Sequence, residues 1–230
     1  MRILITSGGT KVRIDSVRHI GNMSSGTFGS RIANSLMFCT TLENYDKNDH
    51  ITFLKAKGSK TPCISEFFDN RNYTEIDYDD FYDYADKLES LCKQDFDIVV
   101  LAAAVSDYLV DNPVDGKIRS RENFEIKLKP APKLINKIKQ WSPNTKLVGF
   151  KLLVGSDREE LIEASLSSII ENQCDMMIAN DLKDIKGNNH KVMVIADDKI
   201  HDYEASTAPN DCLFLAKRVA EHILKLKEVK

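Results

Sequence analysis

Closely spaced cysteines and histidines are missing from this 230-residue chain. Neighbouring cysteines are at least 24 residues apart and their number is odd, which excludes Cys-x-x-Cys metal or redox motifs and argues against a disulfide framework. No histidine has a second ligand at zinc spacing, so a structural zinc site is not expected. We expect small buried cysteine side chains in a reducing cytoplasm, at Cys39, Cys63, Cys92, Cys174 and Cys212.

The chain also lacks an excess of one charge and a long apolar run. It has 32 Lys+Arg against 35 Asp+Glu, a net charge of −3, which gives no general attraction to nucleic acid or to anionic lipid. The longest apolar run, residues 98–105, has the length of a strand, so a membrane span is not expected. The N-terminus has no signal-peptide pattern, and we therefore predict a cytoplasmic protein.

Standard nucleotide-binding fingerprints are absent as well. Gly8-Gly9 is not followed by the rest of a G-x-G-x-x-G motif, and no G-K-[S/T] occurs, which disfavours the usual dinucleotide and P-loop sites. An oxidoreductase of the short-chain type would also need a Tyr-x-x-x-Lys pair after the fourth strand, and none is found there.

Apolar strand-length segments alternate with helical patterns along the whole chain. The strongest strand signal is 97–105, which is continuously apolar, as expected for a parallel strand buried on both faces. Further strands are predicted at 2–6, 51–54, 73–76, 125–128, 147–153 and 175–179. Helices are predicted from about 26 to 41, over 80–93, from Pro132 to Trp141, and over 157–172 and 209–228. The pattern favours one α/β domain, residues 1–230, with a Rossmann-like, doubly wound, mostly parallel sheet, helices on both faces and a small hairpin at 193–203.

Polar loops follow three of the strands, at 7–10, 106–111 and 180–184. In such sheets ligands bind beyond the carboxyl ends of the strands, so the three loops are candidates for one site. Ordinary solvated loops explain the same residues equally well.

Two other segments have a possible role with anions. Ser24-Ser25-Gly26 precedes a helix, where unpaired N–H groups and the helix dipole favour phosphate, although plain capping accounts for the pattern too. Residues 106–124 read as a long mobile loop, in which Lys117 could close on phosphates. A solvated lysine is the simpler interpretation of Lys117 taken alone.

Six motifs in order change this balance. They are Ser7-Gly8-Gly9-Thr10, Ile14-Asp15-x-Val17-Arg18 running on to Asn22-x-Ser24-Ser25-Gly26, Ala102-Ala-Ala-Val-Ser-Asp-Tyr108, Lys117-Ile118-Arg119-Ser120, Gly149-Phe150-Lys151-Leu152 and Ala179-Asn180-Asp181. Together they resemble phosphopantothenoylcysteine synthetase, the phosphopantothenate–cysteine ligase of coenzyme A biosynthesis. The resemblance covers residues 2–182 and is that of a stand-alone form, without the flavin domain, so no FMN is expected.

The resemblance implies a two-step ligation. A nucleoside triphosphate with Mg²⁺ activates 4′-phosphopantothenate as an acyl-nucleotidylate and releases pyrophosphate, and the amine of L-cysteine then displaces the nucleoside monophosphate. Such a protein positions anionic substrates and balances their charge, and it needs no covalent nucleophile. CTP is the favoured nucleotide and ATP the alternative. The resemblance also implies a homodimer, to which the 193–203 hairpin could contribute.

The resemblance assigns roles residue by residue. Asn22 is the asparagine that acts on the acyl group, and Lys117 is the flap lysine that stabilises phosphate charge. Nucleotide contacts are expected at Ala103, Asp107, Lys117, Ala131, Pro132, Lys133, Leu134 and Phe150. Backbone donors for substrate or phosphate are expected at Gly8, Gly9, Thr10, Ser24, Ser25 and Gly26.

The sequence departs from the family at two places. Ala131 and Lys133 replace an asparagine and an acid in the turn next to the base, and the helix before Ala179 lacks the lysines that often face the triphosphate. No metal ligand is predicted. Two alternatives remain at this point, an NAD(P)-dependent oxidoreductase and a non-catalytic nucleotide-binding protein.

Overall fold

The computed structural model describes residues 1–43, 49–63, 72–120, 123–185, 189–206 and 211–227. Its twelve strands in these ranges are β1 (Arg2–Ser7), β2 (Lys11–Arg13), β3 (His19–Gly21), β4 (His50–Ala56), β5 (Tyr73–Tyr78), β6 (Ile98–Leu101), β7 (Tyr108–Val110), β8 (Leu128–Pro130), β9 (Lys146–Leu153), β10 (Met176–Asp181), β11 (Asn189–Ala196) and β12 (Lys199–Ser206). Its helices there are α1 (Thr27–Glu43), α2 (Phe81–Cys92), α3 (Ile138–Trp141), α4 (Arg158–Asn172), α5 (Leu182–Ile185) and α6 (Asp211–Lys225), with a 3₁₀ turn at Ile135–Lys137.

Eight of these strands form one sheet in the order β12-β11-β10-β9-β6-β1-β4-β5. The six strands from β10 to β5 are parallel, and β11 and β12 continue the sheet antiparallel. The chain passes from β1 to β4 on one side and later places β6 on the other side. The direction of winding therefore reverses between β1 and β6, which is where α/β sheets of this kind leave a crevice for ligands.

Helices cover both faces of the sheet, as the sequence predicts. Alternate strand residues point to opposite faces, so Leu4 and Val99 lie in one buried cluster with α2, while Ile3 and Ile98 lie in the other with α1 and α6. The predicted α/β fold with a mostly parallel sheet is confirmed.

Local signals fix several element ends. The Asp80 carboxylate accepts hydrogen bonds from the N–H groups of Tyr82 and Asp83 and caps α2, and Asp157 with Glu160 forms a capping box at α4. Asp197 and Asp198 both have positive φ and turn β11 into β12 as a two-residue hairpin. The hairpin is longer than predicted because its strands begin and end beyond 193–203.

Several predicted boundaries are wrong. The strand predicted at 97–105 ends at Leu101, because residues 102–105 turn into the loop beyond the sheet edge. The predicted strand 125–128 is instead Leu128–Pro130, and it pairs with Tyr108–Val110 inside the segment predicted to be a loop. This small sheet was missed because each strand has only three residues.

Other expectations differ in detail. The helix predicted from Pro132 starts only with the 3₁₀ turn at Ile135, so Pro132 lies outside it. Cys92 and Cys174 are buried as expected, but Cys63 is exposed. Cys39 and Cys212 lie outside the residues whose side chains are described. No helix within the described ranges is both long and apolar enough to cross a membrane.

Candidate functional site

The loops after β1 and β6 are joined backbone to backbone at the winding reversal. The N–H of Ala104 donates to the Gly8 carbonyl at 2.8 Å, and the N–H of Thr10 donates to the Ala104 carbonyl at 3.0 Å. The hydroxyls of Thr10 and Ser106 lie 2.9 Å apart. The N–H of Thr10 is thus already engaged, and this residue couples the two loops.

Asn22 lies against this junction. Its Nδ2 donates to the Ala104 carbonyl at 2.7 Å, while the residue stays exposed. A Cβ at Gly9 would lie only 2.5 Å from the Asn22 carbonyl, so a larger residue at position 9 would displace this segment. The structure therefore brings together Gly8, Gly9, Asn22 and Ala104, although Ala103 and not Ala104 was predicted to contact ligand.

The start of α1 packs on the end of β1. Gly26 has a φ of +75°, and its carbonyl accepts a hydrogen bond from the Ser7 hydroxyl at 3.1 Å. A Cβ at Gly29 would lie 2.5 Å from Ser7 Oγ, so glycine is needed for this approach. The first N–H groups of a helix have no partner within the helix. The segment 24–26 places the start of α1 next to Gly9 and Asn22, although the Ser24 N–H, a predicted donor for ligand, already donates to the Asn22 carbonyl at 2.9 Å.

An open cleft of about 590 Å³ lies at this junction. We call it the lysine cleft; it is lined by Gly9, Lys11, His19, Gly21, Asn22, Ser24, Ser25 and residues 56–61, which include Lys57 and Lys60. Lys11, Lys57 and Lys60 are not among the site residues predicted from the sequence. The signal that could have identified the last two is their position directly after β4, at the same edge of the sheet as Gly9.

The loop bearing Lys117 is attached to the β2–β3 turn rather than free. The carboxylate of Asp15 accepts hydrogen bonds from the N–H groups of Val17, Arg18 and Ile118, and from the Arg18 guanidinium. Arg18 in turn donates to the Ile118 carbonyl at 2.7 Å. Lys117 is exposed, but the N–H and the carbonyl of its neighbour Ile118 are both hydrogen-bonded to the β2–β3 turn.

Asp15 is charged in this arrangement. Its burial alone would raise the pKa, but the hydrogen bonds from Val17, Ile118 and Arg18 outweigh this effect and hold the pKa of Asp15 well below its usual range. The ionised form is therefore the one that fixes the Lys117 loop.

The turn at 131–134 lies beside the loop after β6. The Ala131 N–H donates to the Asp107 carbonyl at 2.8 Å, and the Lys133 ammonium forms an ion pair with the Asp107 carboxylate. Pro132 is exposed, whereas Leu134 is buried in the core. The lysine that departs from the family pattern thus neutralises a carboxylate at a predicted nucleotide position.

Phe150 lies on the other side of the helix start. Its ring is 6.3 Å from that of Phe28 in an edge-to-face arrangement, and Phe28 is 5.4 Å from the ring of His190. Phe150 lies in the middle of β9, is half-buried and packs against the core cluster that contains α1 and α6. Lys117, the 131–134 turn and Phe150 do not line the lysine cleft itself.

The polar side chains of the third predicted loop, residues 180–184, make structural hydrogen bonds. Asp181 is buried and accepts hydrogen bonds from the N–H groups of Gly155, Ser156 and Lys183. Burial would raise its pKa, but these bonds and the one from the Ser156 hydroxyl lower it well below its usual range. Asn180 donates to the Lys191 carbonyl at 2.7 Å. The polar groups of this loop thus mainly join it to the segment after β9 and to β11.

The chain matches one family of known proteins over most of its length. The family described as the DNA/pantothenate metabolism flavoprotein C-terminal domain matches residues 1–40 and 80–226. The coenzyme A biosynthesis bifunctional protein CoaBC of Thermococcus kodakarensis is 34% identical over 198 residues, 86% of this chain and 45% of that protein. CoaBC of Methanocaldococcus jannaschii is 29% identical over 226 residues, 98% of this chain and 51% of that protein. The chain spans about half the length of these curated relatives.

Solved structures agree with the fold. The DNA/pantothenate metabolism flavoprotein from Streptococcus pneumoniae superimposes with a TM-score of 0.80 at 26% identity, covering 99% of this chain and 98% of that chain. A Cab2 variant in complex with phosphopantothenate-cysteine gives a TM-score of 0.78 at 20% identity, covering 99% and 86%.

Asp15→Asn will loosen the Lys117 loop. The neutral amide has one acceptor oxygen instead of two and no charge, so the Ile118 N–H loses its partner, and its hydrogen exchange should accelerate by roughly tenfold. A carboxylate whose pKa is lowered by folding stabilises the folded protein at pH values above its unfolded-state pKa of about 4. This stabilisation is lost as the pH falls below about 4. The variant, which lacks this carboxylate, should therefore also lose part of the acid dependence of unfolding. Both are measured by amide exchange and by urea unfolding at several pH values.

The matched control is Asp198→Asn, which keeps a short polar side chain in an exposed hairpin turn. Unchanged Ile118 exchange in Asp15→Asn would show that Asp15 does not anchor this loop.

Proposed function

The chain belongs to the family of DNA/pantothenate metabolism flavoprotein C-terminal domains, and we propose that it is a phosphopantothenate–cysteine ligase, acting in one domain over residues 1–230. The substrates proposed are 4′-phosphopantothenate, L-cysteine and a nucleoside triphosphate, with CTP favoured over ATP. The observation that carries the proposal is the convergence of Asn22, Gly9 and the helix start at 24–26 at one edge of the sheet. The complex of the Cab2 variant with phosphopantothenate-cysteine is consistent with it.

The proposed reaction has two balanced steps. A carboxylate oxygen of 4′-phosphopantothenate attacks the α-phosphorus, the bond from that phosphorus to the bridging oxygen of the β-phosphate breaks, and pyrophosphate leaves with the electron pair. The cysteine nitrogen then attacks the acyl carbon, loses a proton, and displaces the nucleoside monophosphate. Both steps concentrate negative charge, so fixed N–H groups and cations are the useful contribution of the protein.

The site fits these demands. The helix start next to Gly26 offers N–H donors to a phosphate, and the Lys117 ammonium offers a positive charge on a loop fixed by Asp15. Asn22 presents its amide at the junction of the two loops. The half-buried ring of Phe150 provides an apolar edge against which a base can pack.

Mg²⁺ fits as a companion of the nucleotide. Among the described residues no three His, Cys, Asp or Glu side chains are grouped as a metal site. Mg²⁺ is commonly held by substrate phosphates and water with few protein ligands. When bound, it would neutralise phosphate charge, and the cations of this chain would supply the remainder. A reducing cytoplasm remains the proposed location, consistent with the free thiols of Cys63, Cys92 and Cys174.

We also propose a homodimer, with a different interface from the one expected. The 193–203 hairpin belongs to the main sheet, and Met193, Val194 and Ile195 are buried in the two core clusters. Exposed apolar side chains lie instead on and next to the small sheets formed by β2–β3 and β7–β8, at Val17, Ile20, Met23, Tyr108 and Leu128. Exposed apolar patches of this kind are typical of protein interfaces.

The ligase is tested by incubating the protein with 4′-phosphopantothenate, L-cysteine, Mg²⁺ and either CTP or ATP, with pyrophosphate and product measured. Lys117→Gln should lower turnover by roughly a hundredfold, because one cation near the developing phosphate charge is removed while the exposed position keeps the fold intact. Lys127→Gln, an exposed lysine further along the same segment, is the control. A protein that binds nucleotide and forms no product would instead be a non-catalytic binder.

Asn22→Asp should slow the second step more than the first. The amide donor at the loop junction is replaced by a negative charge, which disfavours the anionic transition state of cysteine attack. The acyl-nucleotide should therefore accumulate, as detected by mass spectrometry of quenched reactions. Product formation at the wild-type rate would remove Asn22 from the mechanism.

The dimer is tested by changing exposed apolar residues to lysine. Met23→Lys with Tyr108→Lys should give a monomer in analytical ultracentrifugation, because two charges would be buried in the interface. Ile170→Lys, at an equally exposed apolar position on α4, is the control and should leave the dimer intact. A wild-type monomer would contradict the proposed assembly.

A further inference from the structure

The lysine cleft has an unusual charge. Lys11, Lys57 and Lys60 line it together with three serines, and none of the described residues that line it is a carboxylate. Within the described part of the chain, Lys57 and Lys60 form no salt bridge, whereas Lys55, just before them, is paired with Glu75 and Asp77. The cleft thus holds positive charge that the fold itself does not neutralise.

The backbone fixes the positions from which the Lys57 and Lys60 side chains extend. The N–H of Lys57 donates to the Tyr78 carbonyl at 2.8 Å, and the N–H of Lys60 donates to the Ser25 carbonyl at 2.9 Å. Gly58, at a φ of +82°, and the Ser59 N–H, which donates to the Ala56 carbonyl, form the tight turn between them. Lys60 is therefore attached directly to the loop that starts α1.

A hydroxyl in the same cleft also lacks a partner. Ser59 Oγ is buried and makes no hydrogen bond with any described residue. Buried polar atoms are normally hydrogen-bonded, and an exception calls for an explanation. Because Ser59 Oγ is itself enclosed, it would have to rotate toward the cleft to donate to an anionic oxygen bound there.

The other side of the site offers less positive charge. α4 begins at the same edge of the sheet and contains no lysine, and its Arg158 is paired with Asp202. Lys133 forms an ion pair with Asp107. A nucleoside triphosphate carries several negative charges, more than Lys117 and one Mg²⁺ can balance.

We propose that the lysine cleft binds the two phosphoryl groups that leave as pyrophosphate, with Lys57 and Lys60 contacting their oxygens. This inference rests on the proposed ligase function, since that reaction supplies the leaving group. As the bond between the α-phosphorus and the bridging oxygen breaks, negative charge accumulates on the pyrophosphate, and the two ammonium groups stabilise it where it forms. Lys57 and Lys60 thus act in the first step and not in cysteine attack.

The test compares ligands with and without the two phosphoryl groups. Titration calorimetry measures binding of CTP, CMP and magnesium pyrophosphate to the wild type, Lys57→Gln, Lys60→Gln and the double variant. Loss of one charged hydrogen bond should weaken CTP and pyrophosphate binding by roughly tenfold per lysine, while CMP binding stays unchanged. Both residues are exposed, so the folded structure should be preserved, as checked by circular dichroism.

The control is Lys199→Gln. Lys199 begins β12 directly after the β11–β12 turn and pairs with Ala196, which lies opposite Met176 at the amino end of β10. The cleft lies beyond the carboxyl ends of the parallel strands, so Lys199 is at the opposite end of the strands from it. Its removal takes away one positive charge without affecting the cleft. Equal weakening of CTP binding in this control and in the double variant would assign the effect to net charge and overturn the proposal.

The outcomes separate the cleft from the ligase. Unchanged pyrophosphate binding in the double variant, or no pyrophosphate binding by the wild type, overturns the inference even if product is formed. Lysine-dependent pyrophosphate binding by a protein that forms no product overturns the ligase and retains an anion cleft. In an active enzyme, the double variant should also raise the KM for CTP while leaving the rate of cysteine attack on preformed acyl-nucleotide unchanged.

Discussion

The backbone junction between Gly9 and Ala104 is the contact on which the site depends. Two N–H to carbonyl bonds join the loops after β1 and β6 beyond the end of the sheet. The Ala104 carbonyl then accepts a third donor from the Asn22 side chain. Because these bonds are made by the main chain, the junction requires small residues at its centre more than any particular side-chain chemistry. The positive φ of Gly8 and the close approach at Gly9 explain why two glycines follow the first strand.

The charged side chains around that junction fall into two sets, carboxylates that are hydrogen-bonded within the protein and lysines that are exposed. Asp15 and Asp181 are each surrounded by donors and serve to hold loops in place. The positive groups at Lys57, Lys60 and Lys117 are exposed, and the first two have no carboxylate partner within the described chain. Fixed carboxylates therefore shape the candidate site, and exposed cations face the proposed ligand space. This division suits the proposed reaction, in which the nucleoside triphosphate and 4′-phosphopantothenate are both anionic.

The order of the main-sheet strands and of the long helices could be predicted from the sequence because the burial pattern determines it. Continuous apolar runs and helical spacing were enough to identify the parallel sheet, the helices on both faces and the hairpin at the end. The small sheet of Tyr108–Val110 with Leu128–Pro130 could not be predicted, because three-residue strands carry no periodicity and their pairing depends on tertiary position. For the same reason the attachment of Ile118 to Asp15, over a hundred residues away in sequence, was not foreseen. Lys57 and Lys60 were missed because lysines in a loop look solvated until the neighbouring strand is known.

The two edge strands of the sheet have a consequence for solubility. β5 and β12 are the outermost strands of the eight, and each leaves one row of main-chain groups without a neighbouring strand in that sheet. Their sequences interrupt apolar residues with charge, at Glu75 and Asp77 on β5 and at Lys199, Asp202 and Glu204 on β12. Charged side chains on an edge strand discourage the addition of another strand from a second molecule. The same sheet that organises the site is thereby kept from growing sideways into aggregates.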